Sequence, residues 1–326
     1  MTSGPTTRDA HRPAVPEPEE QLHLAATVAR RYYLDRVSRT DIAQELGVSR
    51  FKVARLLDRA SAEGLVRIEV FDPLGVDAGL SDALRDALGL RRAMVLAAAD
   101  RPRVQVGALA ARYLAEVLPR GGRVGIAWSR ATQALVEHLP GRPPCRFVQL
   151  CGVIPRTAEE EHDVELVRRA ARAVGGSALI FYAPFVADRA ATATALRRHP
   201  GIAEALRECD HLDVAVVTVG AWRAGESTVH DALPVQEQQL FRRRGAVAES
   251  CGMLLAEDGR LLRDGLQRRV VAVDAGQLRR TPEVVALATD ENRTSAVRAV
   301  ARSGLVHTLV THRAVAEQLL REPPEG

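Results

Sequence analysis

The stretch Ser38–Ala60 reads SRTDIAQELGVSRFKVARLLDRA and contains two short helical patterns separated by Gly47. Ser38 is followed three residues later by Asp41, a spacing typical of a helix start in which the hydroxyl accepts a backbone N–H and the acidic side chain reaches back to the cap. Gly47 supplies the positive φ that ends the first helix, and Ser49 is a second candidate N-cap. The stretch therefore predicts a helix-turn-helix.

The second helical pattern separates apolar from basic residues. Its apolar residues fall at i, i+3 and i+4 and should face a core: Val53, Leu56 and Leu57. Its basic residues fall at i, i+3 and i+7 on the opposite face, after Arg50 at the helix start: Lys52, Arg55 and Arg59. The alternative is an ordinary helical hairpin with a solvated charged face.

In a helix-turn-helix the N-terminal residues of the second helix enter the major groove of DNA. We therefore expect Arg50 and Lys52 to contact base edges, Arg55 to read bases or position the helix, and Arg59 to contact phosphate. With the cap residue, the predicted DNA-binding set is Ser49, Arg50, Lys52, Arg55 and Arg59. Lys52 is also the only lysine in the chain, so no other residue can perform lysine chemistry.

Length and composition are those of an ordinary globular protein with room for a small module and one large domain. The chain has 326 residues, 46% hydrophobic and 26% charged, with a net charge of +4. Its four cysteines are spread out with no nearby histidine at ligand spacing, so we expect reduced thiols, no metal site and no cofactor. No apolar run has the length of a membrane span, which predicts a cytoplasmic protein without membrane contact.

The first domain is predicted to be a winged helix over residues 21–72. Residues 1–20 are rich in threonine, proline and charge and predict a disordered tail. A helix is expected over Gln21–Asp35, with four residues available to cover the helix-turn-helix: Leu24, Val28, Ala29 and Tyr32. After Gly64 the alternation of Leu65–Phe71 predicts a β-wing, which Pro73 ends.

Residues 73–326 alternate between strand and helix patterns, which predicts an α/β effector domain with a largely parallel sheet. The predicted strands are Ala93–Ala97, Arg123–Ala127, Arg146–Leu150, Ser177–Phe181, Asp213–Val219, Val270–Val273, Val284–Leu287 and Val306–Val310. Helices are predicted over Val104–Leu118, Glu160–Val174, Ile202–Cys209 and Thr294–Ala301.

Open α/β sheets bind ligands outside the carboxyl ends of their strands, where helix N-termini present free N–H groups. The segments that follow predicted strands are Trp128–Thr132, Cys151–Val153, Gly220–Trp222 and Thr289–Arg293, the last of which includes Asp290. The first and last combine hydroxyls with an arginine, which suits an anionic or phosphorylated ligand.

The order of seven blocks along the chain resembles the SorC family of sugar-sensing transcriptional regulators. The blocks are IAQELGVSRFKVARLLDRASAEGLVRIEV, RVGIAWSRAT, VQLCG, LDVAVVTVGAW, RRRGAVAES, QLRRTPEVVALATDENRTSAVRAV and VHTLVTHRAVAEQLL. The resemblance implies a Rossmann-like effector domain of the sugar-phosphate isomerase and deaminase type, used for binding. It also implies a homotetramer, a dimer of dimers on double-stranded operator DNA, whose affinity responds to a small sugar or sugar phosphate.

The resemblance also implies roles for individual residues around the effector. Three residues would line the phosphate side: Ser129, Arg130 and Thr132. Gly152 and Gly220 would form the floor, Glu249 would bind sugar hydroxyls, and Arg293 would contact an anion. The chain departs from the family where W-G-R-T becomes Trp128–Ala131 and where G-A-V-G-D becomes Gly245–Glu249.

Two alternatives to a metabolite-controlled regulator stay open. The first is an enzyme acting on sugar phosphates with a fused DNA-binding module, for which general acid–base groups are available near strand ends: His230, Asp231, Glu249 and Asp290. Schiff-base chemistry in this domain is excluded because it contains no lysine. The second is a regulator with a degenerate pocket, indicated by the altered residues Ser129, Ala131 and Ala248.

Overall fold

The computed structural model describes residues 18–66, 75–141, 144–154, 163–263 and 265–321. The chain divides into two compact units between residues 70 and 71. None of the helices in these ranges combines the length and the apolar character that a bilayer crossing requires.

The first unit packs three helices around a small apolar core. They are α1 (Pro18–Tyr33), α2 (Arg39–Glu45) and α3 (Arg50–Ala62). Its core residues are buried from all three helices: Ala25, Val28, Ala29, Ile42, Ala43, Val53, Leu56, Leu57 and Ala60. The predicted inward face of α3 is therefore confirmed, and Leu24 and Tyr32 pack against this core as partly buried side chains.

The local signals of the α2–α3 pair are confirmed. Ser38 caps α2, since its Oγ accepts the backbone N–H of Asp41 at 3.2 Å. The Asp41 carboxylate accepts the Ser38 hydroxyl at 2.7 Å, so it reaches the cap's side chain rather than its backbone. Ser49 caps α3 by accepting the Lys52 N–H at 3.1 Å, and Gly47 has a φ of +62°. The sequence between the helices thus fixes both ends of the turn.

Two predictions at the edges of this unit have different outcomes. Helix α1 begins at Pro18 and ends at Tyr33, so its first three residues fall within the segment 1–20 predicted as a tail, of which residues 1–17 lie outside the described ranges. The predicted wing strand Leu65–Phe71 lies mostly in residues 67–74, which are also outside them. Leu65 and Val66 are described and are not in a strand.

The second unit is a mixed α/β structure. Its strands in the described ranges are β1 (Arg92–Leu96), β2 (Arg123–Ile126), β3 (Arg146–Gln149), β4 (Ser177–Leu179), β5 (Val214–Thr218), β6 (Gly220–Ala221), β7 (Ala248–Ser250), β8 (Met253–Leu255), β9 (Glu283–Leu287) and β10 (Thr308–His312). Its α-helices there are α4 (Ala78–Leu88), α5 (Pro102–Val117), α6 (Arg130–Glu137), α7 (Asp163–Ala173), α8 (Ala190–Arg198), α9 (Pro200–Glu208), α10 (Thr228–Asp231), α11 (Val235–Arg243), α12 (Ala275–Arg280), α13 (Thr294–Arg302) and α14 (Arg313–Arg321).

A parallel sheet of seven strands organises this unit, in the order β1-β10-β9-β5-β2-β3-β4. Because successive side chains of a strand point to opposite faces, Ala215 and Val217 of β5 join one core while Val214 and Val216 join another. Helices cover both faces, as crossover connections between parallel strands require. All the carboxyl ends of these strands therefore lie along one edge of the sheet.

Seven of the eight predicted strands are present within a few residues of their predicted bounds, and the exception is Val270–Val273. This segment forms only single bridges, Val270 with Val186 and Ala272 with Cys151, so its apolar character reflects burial between two other segments. The antiparallel sheet β6-β7-β8 was not predicted, because strands of two or three residues are too short to show alternation.

Candidate functional site

The exposed face of α3 differs from the one that the sequence predicted. At 100° per residue, the buried Val53, Leu56 and Leu57 place Phe51 and Arg55 at the centre of the opposite side. Phe51 and Arg55 are exposed, and Lys52 at the border of the core is half-buried. Phe51 and Arg55, one turn apart, and the exposed Asp58 near the next turn therefore occupy the middle of this face.

The predicted DNA-binding residues separate into two groups by their contacts. Arg50, Lys52 and Arg55 make no side-chain hydrogen bond or ion pair within the described ranges. Arg59 donates to Gln21 Oε1 at 2.5 Å and lies 3.8 Å from a carboxylate oxygen of Glu63. The first group is free to meet a ligand, whereas Arg59 holds α1 and α3 together.

Phe51 is the residue that sequence reasoning missed on this face. Its side chain is 76% exposed, the highest value among the large hydrophobic side chains of the described residues. Its exposure could have been predicted from its spacing in the sequence. Phe51 does not fall at the helical spacing of the apolar residues of α3, and it lies four residues before Arg55, which places the two on the same side of the helix.

The second candidate site is a cleft of about 870 Å³ at the carboxyl ends of β2, β5 and β9. Five of the predicted effector residues line it together with Gly220: Ser129, Arg130, Glu249, Asp290 and Arg293. The remaining lining residues are Arg103, Trp128, Ala131, Ile154, Thr218, Val219, Gly225, Glu226, Ser227, Thr228, Asp231, Ala232, Leu287, Ala288, Thr289 and Val297. The strand-end rule therefore predicted where this cleft lies.

One wall of the cleft is the N-terminus of α6. Ser129 and Thr132 form a reciprocal capping box, in which the Thr132 N–H donates to Ser129 Oγ at 3.0 Å and the Ser129 N–H donates to Thr132 Oγ1 at 2.7 Å. Thr132 is completely buried and lies outside the cleft lining, so it shapes the helix end. The Arg130 side chain and the backbone N–H groups of Arg130 and Ala131 have no hydrogen-bond partner among the described residues.

Glu249 also lines the cleft. At 5% exposure it is the most buried of the charged residues in the cleft lining. Its carboxylate accepts the Gly252 N–H at 2.8 Å and the Ser227 hydroxyl at 3.1 Å. Burial raises the pKa of the Glu249 carboxyl, while these two hydrogen bonds and the charge of Arg293 oppose the rise.

Arg293 is engaged by protein groups. Its Nε donates to Glu226 Oε2 at 2.9 Å, and an Nη donates to the Val219 carbonyl at 3.2 Å. Asp290 lies 3.5 Å from the guanidinium on a third side. The positive charge of Arg293, which was expected to contact an anionic ligand, is therefore paired with the carboxylates of Glu226 and Asp290.

Charges in the cleft nearly cancel. Among the described residues that line it, there are three arginines and four carboxylates, and Arg103 lies 3.8 Å from Asp290. Within the described ranges, Arg130 is the cleft cation that has neither an ion pair nor a hydrogen bond. The positive potential available to a ligand is therefore concentrated at the start of α6.

The two glycines predicted to form the floor have different surroundings. A Cβ on Gly220 would lie 2.8 Å from Glu249 Oε2, so glycine is needed beside the buried carboxylate. A Cβ on Gly152 would lie 2.7 Å from the Ala183 carbonyl, and Gly152 borders a small adjoining cavity instead of the main cleft. Gly152 thus serves close packing of two backbone segments.

The groups considered for acid–base chemistry are held by neighbours. His230 Nδ1 lies 2.8 Å from Asp231 Oδ1, and the Asp231 carboxylate also accepts the Gly225 N–H at 3.0 Å. The His230 ring is buried edge-on against Trp222. Among the residues that the structure describes, His, Cys, Asp and Glu side chains form no group of three or more that could hold a metal ion.

Comparison with known proteins places this architecture in a family. A family profile described as "Putative sugar-binding domain" matches residues 72–321. The chain is 28% identical over 304 residues to the transcriptional regulator LsrR of Klebsiella pneumoniae subsp. pneumoniae, covering 91% of this chain and 92% of LsrR. It is 26% identical over 311 residues to the erythritol catabolism regulatory protein EryD of Brucella abortus, covering 92% of this chain and 97% of EryD.

A solved structure shares the fold over most of the chain. The full-length sorbitol operon regulator SorC from Klebsiella pneumoniae superposes with a TM-score of 0.70 at 23% identity, covering 92% of this chain and 99% of SorC. The parallel sheet, the strand-end cleft and the matched profile agree with the order of blocks in the sequence. The chain belongs to the SorC family of sugar-binding transcriptional regulators.

Proposed function

We propose that the protein is a DNA-binding transcriptional regulator whose operator affinity is controlled by a metabolite bound in the cleft. In this proposal, residues 21–72 form a winged helix-turn-helix and α3 enters the major groove. The observation that carries the proposal is the exposed start of α3, where Arg50 and Arg55 have no partner among the residues that the structure describes. Cations left free beside a helix start suit phosphates and guanine edges.

The cleft supports a ligand with one anionic group and several hydroxyls. The anionic group would bind at the start of α6, where Arg130 and two backbone N–H groups have no partner in the described part of the chain. The hydroxyls of the ligand would donate to Glu249 and Asp231, whose carboxylate oxygens are acceptors in the cleft. A sugar phosphate or a sugar acid has this distribution of charge and hydroxyls.

The second unit would bind this ligand without converting it. Its sugar-phosphate isomerase and deaminase type of fold would be used for recognition, because the candidate acid–base groups are engaged by neighbours and residues 73–326 contain no lysine. Turnover of a sugar phosphate by the purified protein would contradict the proposal that the ligand is bound without conversion.

We also propose that the protein acts as a homotetramer, a dimer of dimers on duplex operator DNA.

Selection of duplexes from a random DNA pool by the full-length protein tests the regulator proposal. We expect enrichment of a defined sequence, with binding that weakens steeply as salt is raised because bound cations displace counterions from DNA. A pool that stays random after repeated rounds would overturn the proposal.

A thermal-shift panel of sugars, sugar phosphates and sugar acids tests the ligand class. A ligand at 100 times its Kd stabilises the folded state by about 2.7 kcal/mol. We expect Arg130→Ala to lose the shift given by anionic ligands, and Arg120→Ala, an exposed arginine outside the cleft, to keep it. If no compound shifts the parent protein, the pocket is degenerate.

A further inference from the structure

The most exposed large apolar side chain in the described ranges lies among basic residues at the start of α3. Phe51 is 76% exposed at the second position of α3, and Arg55 follows it one turn later on the same side. Arg50 and Lys52 flank it in the chain. Phe51 is not among the residues that form or pack against the three-helix core, so its exposure is not explained by the packing of the described helices.

The chemistry of the major groove contains one apolar partner for such a ring. Arginine and lysine recognise the O6 and N7 acceptors of guanine, but the thymine C5-methyl is the apolar group that base edges present there. The groove is about 12 Å wide and admits a helix with its N-terminal side chains towards the bases. The charges around Phe51 complement the phosphates on either side of that groove.

We propose that Phe51 contacts a thymine C5-methyl and so selects thymine at one position of each half-site. The inference rests on the proposed DNA binding and adds to it a specificity residue that carries no charge. Arg50, Lys52 and Arg55 would supply affinity and guanine contacts, while Phe51 would supply discrimination between base pairs that differ in a methyl group.

Replacing thymine by deoxyuridine tests the contact, because this change removes the methyl and keeps every hydrogen-bonding group. The duplex selected by the full-length protein would be resynthesised with one thymine changed at a time, and Kd measured by fluorescence anisotropy. For the parent protein we expect one position per half-site to weaken binding about fourfold, the value for one methylene-sized apolar group.

The variant Phe51→Ala should bind the thymine and deoxyuridine duplexes equally, whereas Phe51→Leu should retain part of the preference. Leu34→Ala removes a similarly exposed apolar side chain, 74%, just after α1, and should leave the deoxyuridine pattern unchanged. An unchanged penalty in Phe51→Ala would overturn the proposal. A loss of the oligomeric state in Phe51→Ala with the penalty unchanged would also overturn it and assign the ring to a protein contact.

Failure of the underlying DNA-binding proposal has a separate signature. In that case the parent protein enriches no sequence from the random pool, and the thymine contact falls with it. If the parent enriches a sequence that no deoxyuridine change weakens, DNA binding stands and only the role of Phe51 is overturned.

Discussion

The exposed face of α3 and the cleft of the second unit use charged side chains in opposite ways. On α3, Arg50 and Arg55 are exposed and have no partner within the described part of the chain. In the cleft, Arg293 is enclosed by Glu226, Asp290 and a carbonyl, and Arg130 is the cation left without a partner among the described residues. The proposed DNA-binding surface thus leaves these cations free, whereas the proposed ligand cleft neutralises most of its own charge.

The largest expected effect concerns the free arginines of α3. Arg50→Ala and Arg55→Ala should each weaken binding to the selected duplex by about 1–3 kcal/mol, because each loses a contact to a base edge. Fluorescence anisotropy with labelled DNA measures the change. Arg30→Ala, which removes an exposed arginine of α1, is the matched control. Equal losses in all three variants would mean that α3 has no special role.

The next effect concerns Gly152, which packs closely against a neighbouring backbone segment. Gly152→Ala should destabilise the protein by about 1–3 kcal/mol, since the added Cβ meets the backbone of Ala183 and Phe185 at 2.7 to 2.8 Å. Chemical denaturation measures the free energy of unfolding. Gly141→Ala is the control, because its Cβ would have nothing within 4 Å. An unaltered stability of Gly152→Ala would contradict the close packing described here.

The buried carboxyl of the cleft should make stability depend on pH. Because the pKa of Glu249 is raised in the folded state, its proton is held more tightly there than in the unfolded chain. This contribution is fully present below the unfolded pKa near 4.5 and is lost as pH rises through the folded pKa.

The comparison of Glu249→Gln with the parent protein isolates this carboxyl. The Tm of the variant minus that of the parent should increase as pH rises from below 4.5 towards neutrality, because the variant has no charge to bury. Thermal melts at a series of pH values give this difference. A difference that stays constant or falls with rising pH would show that burial does not dominate at this carboxyl.

The smallest effect is expected at the engaged arginine of α3. Arg59→Ala should lower the free energy of unfolding by up to about 1 kcal/mol, since a partly exposed ion pair with Glu63 and a hydrogen bond to Gln21 are lost. Its DNA affinity should stay close to that of the parent. A loss of affinity as large as that of Arg55→Ala would break the distinction between free and engaged cations.

Features that depend on residues close together in the chain could be predicted from the sequence. The caps at Ser38 and Ser49, the turn at Gly47 and the buried stripe of α3 each depend on neighbours within four residues. All were predicted, and so was the position of the cleft, because the strand-end rule applies to any open α/β sheet.

The features that escaped prediction depend on contacts between distant segments. Arg293 and Glu226 are 67 residues apart in the chain, so their pairing required the fold. The close packing of Gly152 against Ala183 also required the fold. Val270–Val273 was wrongly predicted as a strand because its residues are apolar, whereas it is buried between two other segments and forms only single bridges. Phe51 is different, since its exposure follows from the helical period and could have been predicted from the sequence.

Coupling between the cleft and DNA binding is the central claim, and one titration tests it directly. The full-length protein is titrated onto labelled selected duplex with and without a ligand that raises its Tm. We expect the ligand to change the Kd for DNA by about 5- to 150-fold in one direction, and Arg130→Ala to bind DNA like the parent but lose this response. A ligand that stabilises the protein and leaves the Kd for DNA unchanged would contradict the account.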